Sequence, residues 1–292
     1  GDRAADRLRR TRRRGEQATG RTREVGLNLV PQLKLRSGET LYYETHGSGP
    51  ALLLVPGLGG VATFWQRHVG ALAAHFTVVL HDHRGCGRSS PARGAHSVGQ
   101  MADDILQLMD GLGIARAHLI GHSTGGAIGQ TLALDAPDRL DRLVLSATWT
   151  AADGYFRRLF DTRAEALAKL GNAFYGRLGN LVLYPPWWLA ANAETLEAAQ
   201  AASPIPATSH DTVLARIAAI VAFDRRAELA RIAHPTLVMA ARDDAVTPAY
   251  FSEALAREIP NARLVLLPTG GHFYNHVFSG EFERAAIDFL MA

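Results

Sequence analysis

LIGHSTGG, residues 119–126, sets one serine in a stretch where Gly121, Gly125 and Gly126 leave almost no side chain around it. Glycine weakens any helix or strand that contains it, so packing is a poor reason for this cluster. The flanks supply a better one. AHLIGHS (117–123) reads as a short buried strand running up to the serine, and Gly125 to Ala136 reads as a helix, which puts Ser123 at a strand-to-helix junction. Gly-x-Ser-x-Gly at such a junction is a nucleophile elbow: a sharp, strained turn presents the serine oxygen, and small neighbours let the two elements close in.

Working outward, the same unit repeats. TLYYETH (40–46), ALLLVPG (51–57), FTVVLHD (76–82), RLVLSAT (142–148), TLVMAA (236–241) and RLVLLP (263–268) read as strands. Helical patterns lie between them, opening at Ser97, and spanning Pro248 to Glu258 and Glu281 to Met291. Such alternation predicts an α/β protein with a mostly parallel sheet covered by helices on both faces. From Trp149 to Val221 no strand pattern occurs, and alanine-rich, aromatic-rich helices take its place. An insertion of that size between two strands must leave the sheet at its edge and run over the surface, so residues 149–221 are expected to form a helical cap over a core made of 30–148 and 222–292.

Charge and composition narrow the function classes. The net charge of +3 comes from residues 1–29, which carry nine arginines against Asp2, Asp6, Glu16 and Glu24. The remaining chain is slightly acidic, so its body is not built for a polyanion. The Arg-rich stretch 1–29 reads as a disordered extension or an upstream start-site artefact, with natural sequence beginning near Val30. A secretory leader is disfavoured, since no apolar segment follows the arginines. The expected partner is a small molecule, with no nucleic acid and no membrane; no apolar run approaches the roughly 18 residues of a spanning helix. A homodimer is left open. Cys86 is the single cysteine, which fits a reducing compartment and the cytoplasm. No HExxH or paired CxxC spacing is present, and neither a metal nor an organic cofactor is expected.

A serine nucleophile needs a base, and the base needs an orienting carboxylate. After Ser123 the chain offers ARDDAVTP (241–248) behind one strand and TGGHF (269–273) behind the next. Both are loops at C-terminal strand ends, where open α/β sheets place their sites. His272 is the candidate base and Asp244 the candidate acid. Asp243 is the alternative acid, and the three-residue gap to Pro248 favours Asp244. His122 is read as shaping the elbow, His276 as a wall residue, and Arg84 and Arg88 as ties for their turn.

The order serine, acid, histidine resembles that of the α/β-hydrolase superfamily over residues 32–292. VPGLGG (55–60) resembles its oxyanion loop and HDHRGCGRSS (81–90) its D-x-R-G-x-G-x-S turn. Pro56 stands where many members have histidine. The resemblance implies an eight-stranded, mostly parallel sheet with the cap inserted after strand 6, and an oxyanion hole made by the backbone amides of Leu58 and Thr124. Within the superfamily, LYPPWWLAANAETLEAAQ (183–200) is most similar to the pyrimidine-utilisation protein D group, named for aminoacrylate hydrolysis, with the 3-oxoadipate enol-lactonases next. That implies a serine hydrolase acting on a small catabolic ester, enol lactone or amide-like C–N bond.

The pocket is expected to use Gly57, Trp65, Trp149 and Phe273 from the core and Tyr184, Trp187 and Trp188 from the cap, aromatics that would keep the site dry. Arg157 and Arg158 are weighed as a clamp for a substrate carboxylate and read as a solvated helix face. A haloalkane dehalogenase would need aspartate at position 123. A cofactor-free perhydrolase or haloperoxidase shares the triad, and a hormone-receptor-like binding protein shares the fold.

Overall fold

The computed structural model describes residues 31–92, 96–202 and 208–292; the expectation for residues 1–29 lies outside them. Eight strands form one sheet in the order β1-β2-β4-β3-β5-β6-β7-β8. They are β1 Gln32–Lys34, β2 Thr40–His46, β3 Ala51–Val55, β4 Thr77–His81, β5 Ala117–His122, β6 Leu140–Ser146, β7 Thr236–Ala241 and β8 Ala262–Leu267. The pairings β1·β2 and β2·β4 are antiparallel and the rest parallel. Strand β7 is buried at every position, as a strand covered on both faces must be. Strand β1 is the one strand that the sequence reading does not anticipate, because three residues are too few to show a period of two.

Alternation along the strands feeds two cores. Leu52 and Leu54 point into one with Val69 and Leu72 of α1 (Gln66–Ala73) and Phe282 and Ala286 of α9 (Ser279–Met291). Leu53 and Val55 point into the other. There they meet α2 (Val98–Gly111), α3 (Thr124–Asp135) and α7 (Ala249–Glu258). Helix α2 starts where its cap requires, with Ser97 Oγ accepting from the Gln100 amide at 3.0 Å.

Between β6 and β7 the cap comprises α4 (Gly154–Leu183), α5 (Pro186–Ala201) and α6 (His210–Ala222). Helix α4 is broken at Gly171, whose φ of 75° no helix interior has. At the base of the insertion Ala151 and Asp224 form an antiparallel bridge, and the Arg225 amide donates to Thr150 O at 3.0 Å. Below the oxyanion loop, Asp82 accepts from the amides of Ala62 at 2.7 Å and Arg88 at 2.8 Å. Arg88 also pairs with Asp82, and Arg84 with Asp104, so both arginines tie the 81–90 segment to its surroundings.

Candidate active site

Ser123 has φ 55° and ψ −117°, a left-handed conformation that costs on the order of 1–3 kcal/mol in a non-glycine residue. Its surroundings hold it there. The Ser123 amide donates to Ser146 O on β6 at 2.8 Å, and its carbonyl accepts from Thr148 Oγ1 at 2.7 Å and from the Gly126 amide at 2.9 Å. The glycines serve the turn by their lack of a side chain: a Cβ on Gly121 would lie 2.2 Å from Gly125 O, and one on Gly125 would lie 2.1 Å from Val55 O. Strands β3 and β5 and helix α3 thus meet backbone to backbone beneath the serine.

Asp244 lies just beyond β7 and is 4% exposed. Its carboxylate accepts from the amides of Val246 at 2.7 Å and Thr247 at 2.9 Å, from Thr247 Oγ1 at 2.8 Å and from His272 Nδ1 at 2.9 Å. A carboxylate only accepts, so Nδ1 carries the proton and Nε2 of the neutral ring keeps its lone pair. Asp243 does different work: it accepts from the Gly271 amide at 2.9 Å and from Thr269 Oγ1, bracing the loop that carries His272.

Ser123 and His272 line one cavity of about 380 Å³, together with Gly57, Leu58 and Phe273 from the core and Tyr175 from the cap. Among the described residues Ser123 Oγ makes no hydrogen bond, and the amides of Leu58 and Thr124 find no backbone acceptor. Thr124 opens α3, where backbone N–H groups lack helical partners. The candidate oxyanion loop is held by the fully buried Arg216 of α6, whose Nε donates to Leu58 O at 3.1 Å and Nη2 to Gly57 O at 3.3 Å. The Gly57 carbonyl and the Leu58 N–H belong to one peptide unit, so a donor on the first strengthens the second as a donor.

Five expected pocket residues are elsewhere. Trp65 is fully buried against Phe282 in the core beneath the site, and Trp149 is fully buried against Phe156 and Phe223. Both are large apolar side chains next to strand ends, where the sheet needs filling. Tyr184 stacks on Trp188 with centroids 4.4 Å apart and meets Phe273 edge-on, outside the cavity wall. Trp187 is 52% exposed and donates its indole N–H to Thr269 Oγ1 at 3.2 Å. Helix α5 begins at Pro186, and neither tryptophan of its first turn lines the cavity. Gly57 and Phe273 do line it.

His122 lines the cavity and its Nδ1 meets Ser146 Oγ at 3.0 Å; burial holds it uncharged, well below the usual histidine range. His276 packs on Phe64 and donates Nε2–H to its carbonyl at 2.9 Å, and burial pushes it down to about 3. Neither competes with His272. Arg157 and Arg158 are exposed. The cap residues that the sequence reading missed include Phe160, Arg163, Asn172, Tyr175 and Thr208. For Arg163 the signal existed: with Phe156, Phe160 and Leu167 it completes a stripe at helical spacing, an arginine in a core position. Among the described residues no three or more His, Cys, Asp or Glu side chains are grouped to hold a metal. No described helix is long and apolar enough to cross a membrane.

Comparison with known proteins agrees with this geometry. Residues 50–277 match the family described as the alpha/beta hydrolase fold. A protein of Azorhizobium caulinodans, provisionally named carbamate hydrolase RutD, is 43% identical over 251 residues, covering 85% of this chain and 94% of the relative. Among solved structures, a hydrolase from Pseudomonas aeruginosa is 35% identical with a TM-score of 0.83, over 91% of this chain and all of that one. The enol-lactonase from Burkholderia xenovorans is 27% identical with a TM-score of 0.82, over 90% of this chain and all of that one.

Proposed function

Since the chain belongs to the α/β-hydrolase family and its relatives are hydrolases, we propose that it cleaves a small ester, enol lactone, or carbamate- or amide-like C–N bond, using Ser123 as nucleophile. The observation that carries this reading is the strained serine at the β5–α3 junction facing the same cavity as His272, whose Nδ1 is held by Asp244 at 2.9 Å. In the first half-reaction His272 Nε2 takes the hydroxyl proton while Ser123 Oγ bonds to the substrate carbonyl carbon. The carbonyl oxygen becomes an oxyanion facing the Leu58 and Thr124 amides, each donor being worth about 3 kcal/mol at such a position. Collapse breaks the bond to the leaving group, which receives the proton from His272. Water then repeats the sequence on the acyl-enzyme, with His272 as base and Ser123 Oγ leaving.

The names of the relatives point to carbamate and enol-lactone substrates, and a small catabolic substrate of either kind suits a cavity of about 380 Å³. The test is a panel of short acyl esters, small amides, carbamates and enol lactones, run beside Ser123→Ala and after exhaustive chelation. The serine variant should lose on the order of 10⁴-fold or more in kcat, and wild-type activity should survive chelation. Wild-type turnover no faster than that of Ser123→Ala on every compound would overturn the proposal.

A further inference from the structure

Among the described residues several buried or partly buried arginines have an acid. Arg84 pairs with Asp104, Arg88 with Asp82, and Arg225 with Asp135. Arg163, in the first half of α4, is 7% exposed and has none among the described residues. Its Nη2 donates to Tyr175 Oη at 3.1 Å, and its guanidinium lies 5.2 Å from the Phe160 ring centroid and 5.0 Å from that of Tyr175. Its Nε is buried without a partner. A buried guanidinium lacking a counter-ion is costly, and folding alone gives no reason to keep one where the same helix face carries Phe156, Phe160 and Leu167.

The cavity supplies the reason. Arg163 lines it from the cap, and Ser123 and His272 line it from the sheet. Arg216, the other fully buried arginine without an acid, makes its bonds to Gly57 O and Leu58 O and does not line the cavity. The break in α4 at Gly171 brings Tyr175 back against Arg163, and Asn172 lines the same cavity, so a charged side chain shares with Asn172, Tyr175 and Thr208 a roof that Phe160, Leu183 and Val213 complete. A guanidinium presents paired donors matched to a carboxylate.

We infer that Arg163 binds a carboxylate on the substrate at the end remote from the scissile bond, which makes the preferred substrates small acyl compounds bearing one free carboxylate. The inference rests on Ser123 being the nucleophile, because that fixes which end of the cavity holds the reacting carbonyl. The Arg163 charge then orients the substrate and rejects neutral acyl groups of the same length.

Two measurements test it. In the first, p-nitrophenyl hemisuccinate and p-nitrophenyl butyrate are compared as substrates of the wild type, Arg163→Met and Arg163→Lys. The wild type should prefer the hemisuccinate in kcat/KM. Arg163→Met should lose roughly 30-fold or more on it, as removal of one partner of a buried charged pair does, and change less than about 3-fold on the butyrate. Arg163→Lys, which keeps charge without the planar fork, should fall between. In the second, monomethyl and dimethyl succinate are titrated calorimetrically into Ser123→Ala and into Ser123→Ala with Arg163→Met, where no turnover interferes. The monoester should bind more tightly than the diester to the first protein and equally to the second. Equal binding of the two esters by Ser123→Ala, or equal losses on both nitrophenyl substrates in Arg163→Met, would overturn the inference. Selective binding without Ser123-dependent hydrolysis of any compound would instead remove the proposed reaction and leave the carboxylate site standing.

Discussion

Lowering the pH from 7.5 to 5.5 should remove a large part of this protein's stability, because the fold buries several histidines uncharged. Burial pushes His81 down to about 4 and His276 to about 3, and holds His83 and His122 well below the ordinary range. In the unfolded chain all four return to about 6.5. Between about pH 4 and 6.5 the unfolded chain binds protons that the folded one refuses, so their contribution is complete above 6.5 and shrinks as pH falls. By pH 5.5 the four together have withdrawn about 5–6 kcal/mol. Asp104 acts in the opposite sense. Burial, countered in part by Arg84, raises it to about 6, and its uptake of a proton in the folded state returns about 1 kcal/mol by pH 5.5. For these five groups the net loss is about 4–5 kcal/mol, and His68, pushed down by burial to about 3, adds to it, against roughly 5–15 kcal/mol for an ordinary domain. Urea unfolding followed by tryptophan fluorescence at half-unit steps of pH measures it, and His276→Gln should flatten the slope by about one proton. An unfolding free energy constant within about 1 kcal/mol across this span, or one that rises with acid, would refute the reasoning.

Asp244→Asn should lower kcat on the order of 10⁴-fold, since it removes the partner that fixes the His272 tautomer, whereas Asp243→Asn should cost far less and raise amide exchange in the 269–272 loop that it braces; the reverse ranking would exchange their roles. Arg216→Met should lower kcat by about 10-fold or more with little change in KM, because the oxyanion loop loses both of its bonds from α6; a change in KM alone would speak against it. Gly125→Ala should fail to accumulate as folded protein, a Cβ at 2.1 Å from Val55 O being unrelievable without parting β3 from α3; a soluble, cooperatively unfolding variant would count against the backbone contact.

The sheet side of this site was legible in the chain, and the cap side was not, for a physical reason. Residues at parallel strand ends are placed by hydrogen-bond register, so a serine after β5, an acid after β7 and a histidine after β8 must come together once the strands are recognised. Even there, β1 escaped notice, as did α1 and the four-residue helix α8 (Tyr274–Val277). Helices packed over a sheet have no such register, and which face looks inward depends on neighbours far along the chain. Tryptophans drew attention by size, yet Trp65 and Trp149 fill core and Trp187 lies on the surface, while a lone arginine in a hydrophobic stripe carried the information. The bend at Gly171 was not legible, because a glycine inside a helical pattern is usually tolerated without one.

The neck formed by Ala151 and Asp224 has a bearing on how such a protein diversifies. Its two chains are held side by side by the bridge and by the Arg225 to Thr150 bond, whatever length of polypeptide lies between. Loop-closure entropy grows only slowly with length, so a longer or shorter stretch spliced at this neck leaves the registers of β6 and β7 undisturbed. A transplant at those two positions would carry away Arg163, Tyr175 and Arg216 together and keep Ser123, Asp244, His272 and Leu58 in place. Arg216 leaves with the cap, so such an exchange keeps the reaction only where the incoming segment brings its own donor to the Gly57 and Leu58 carbonyls.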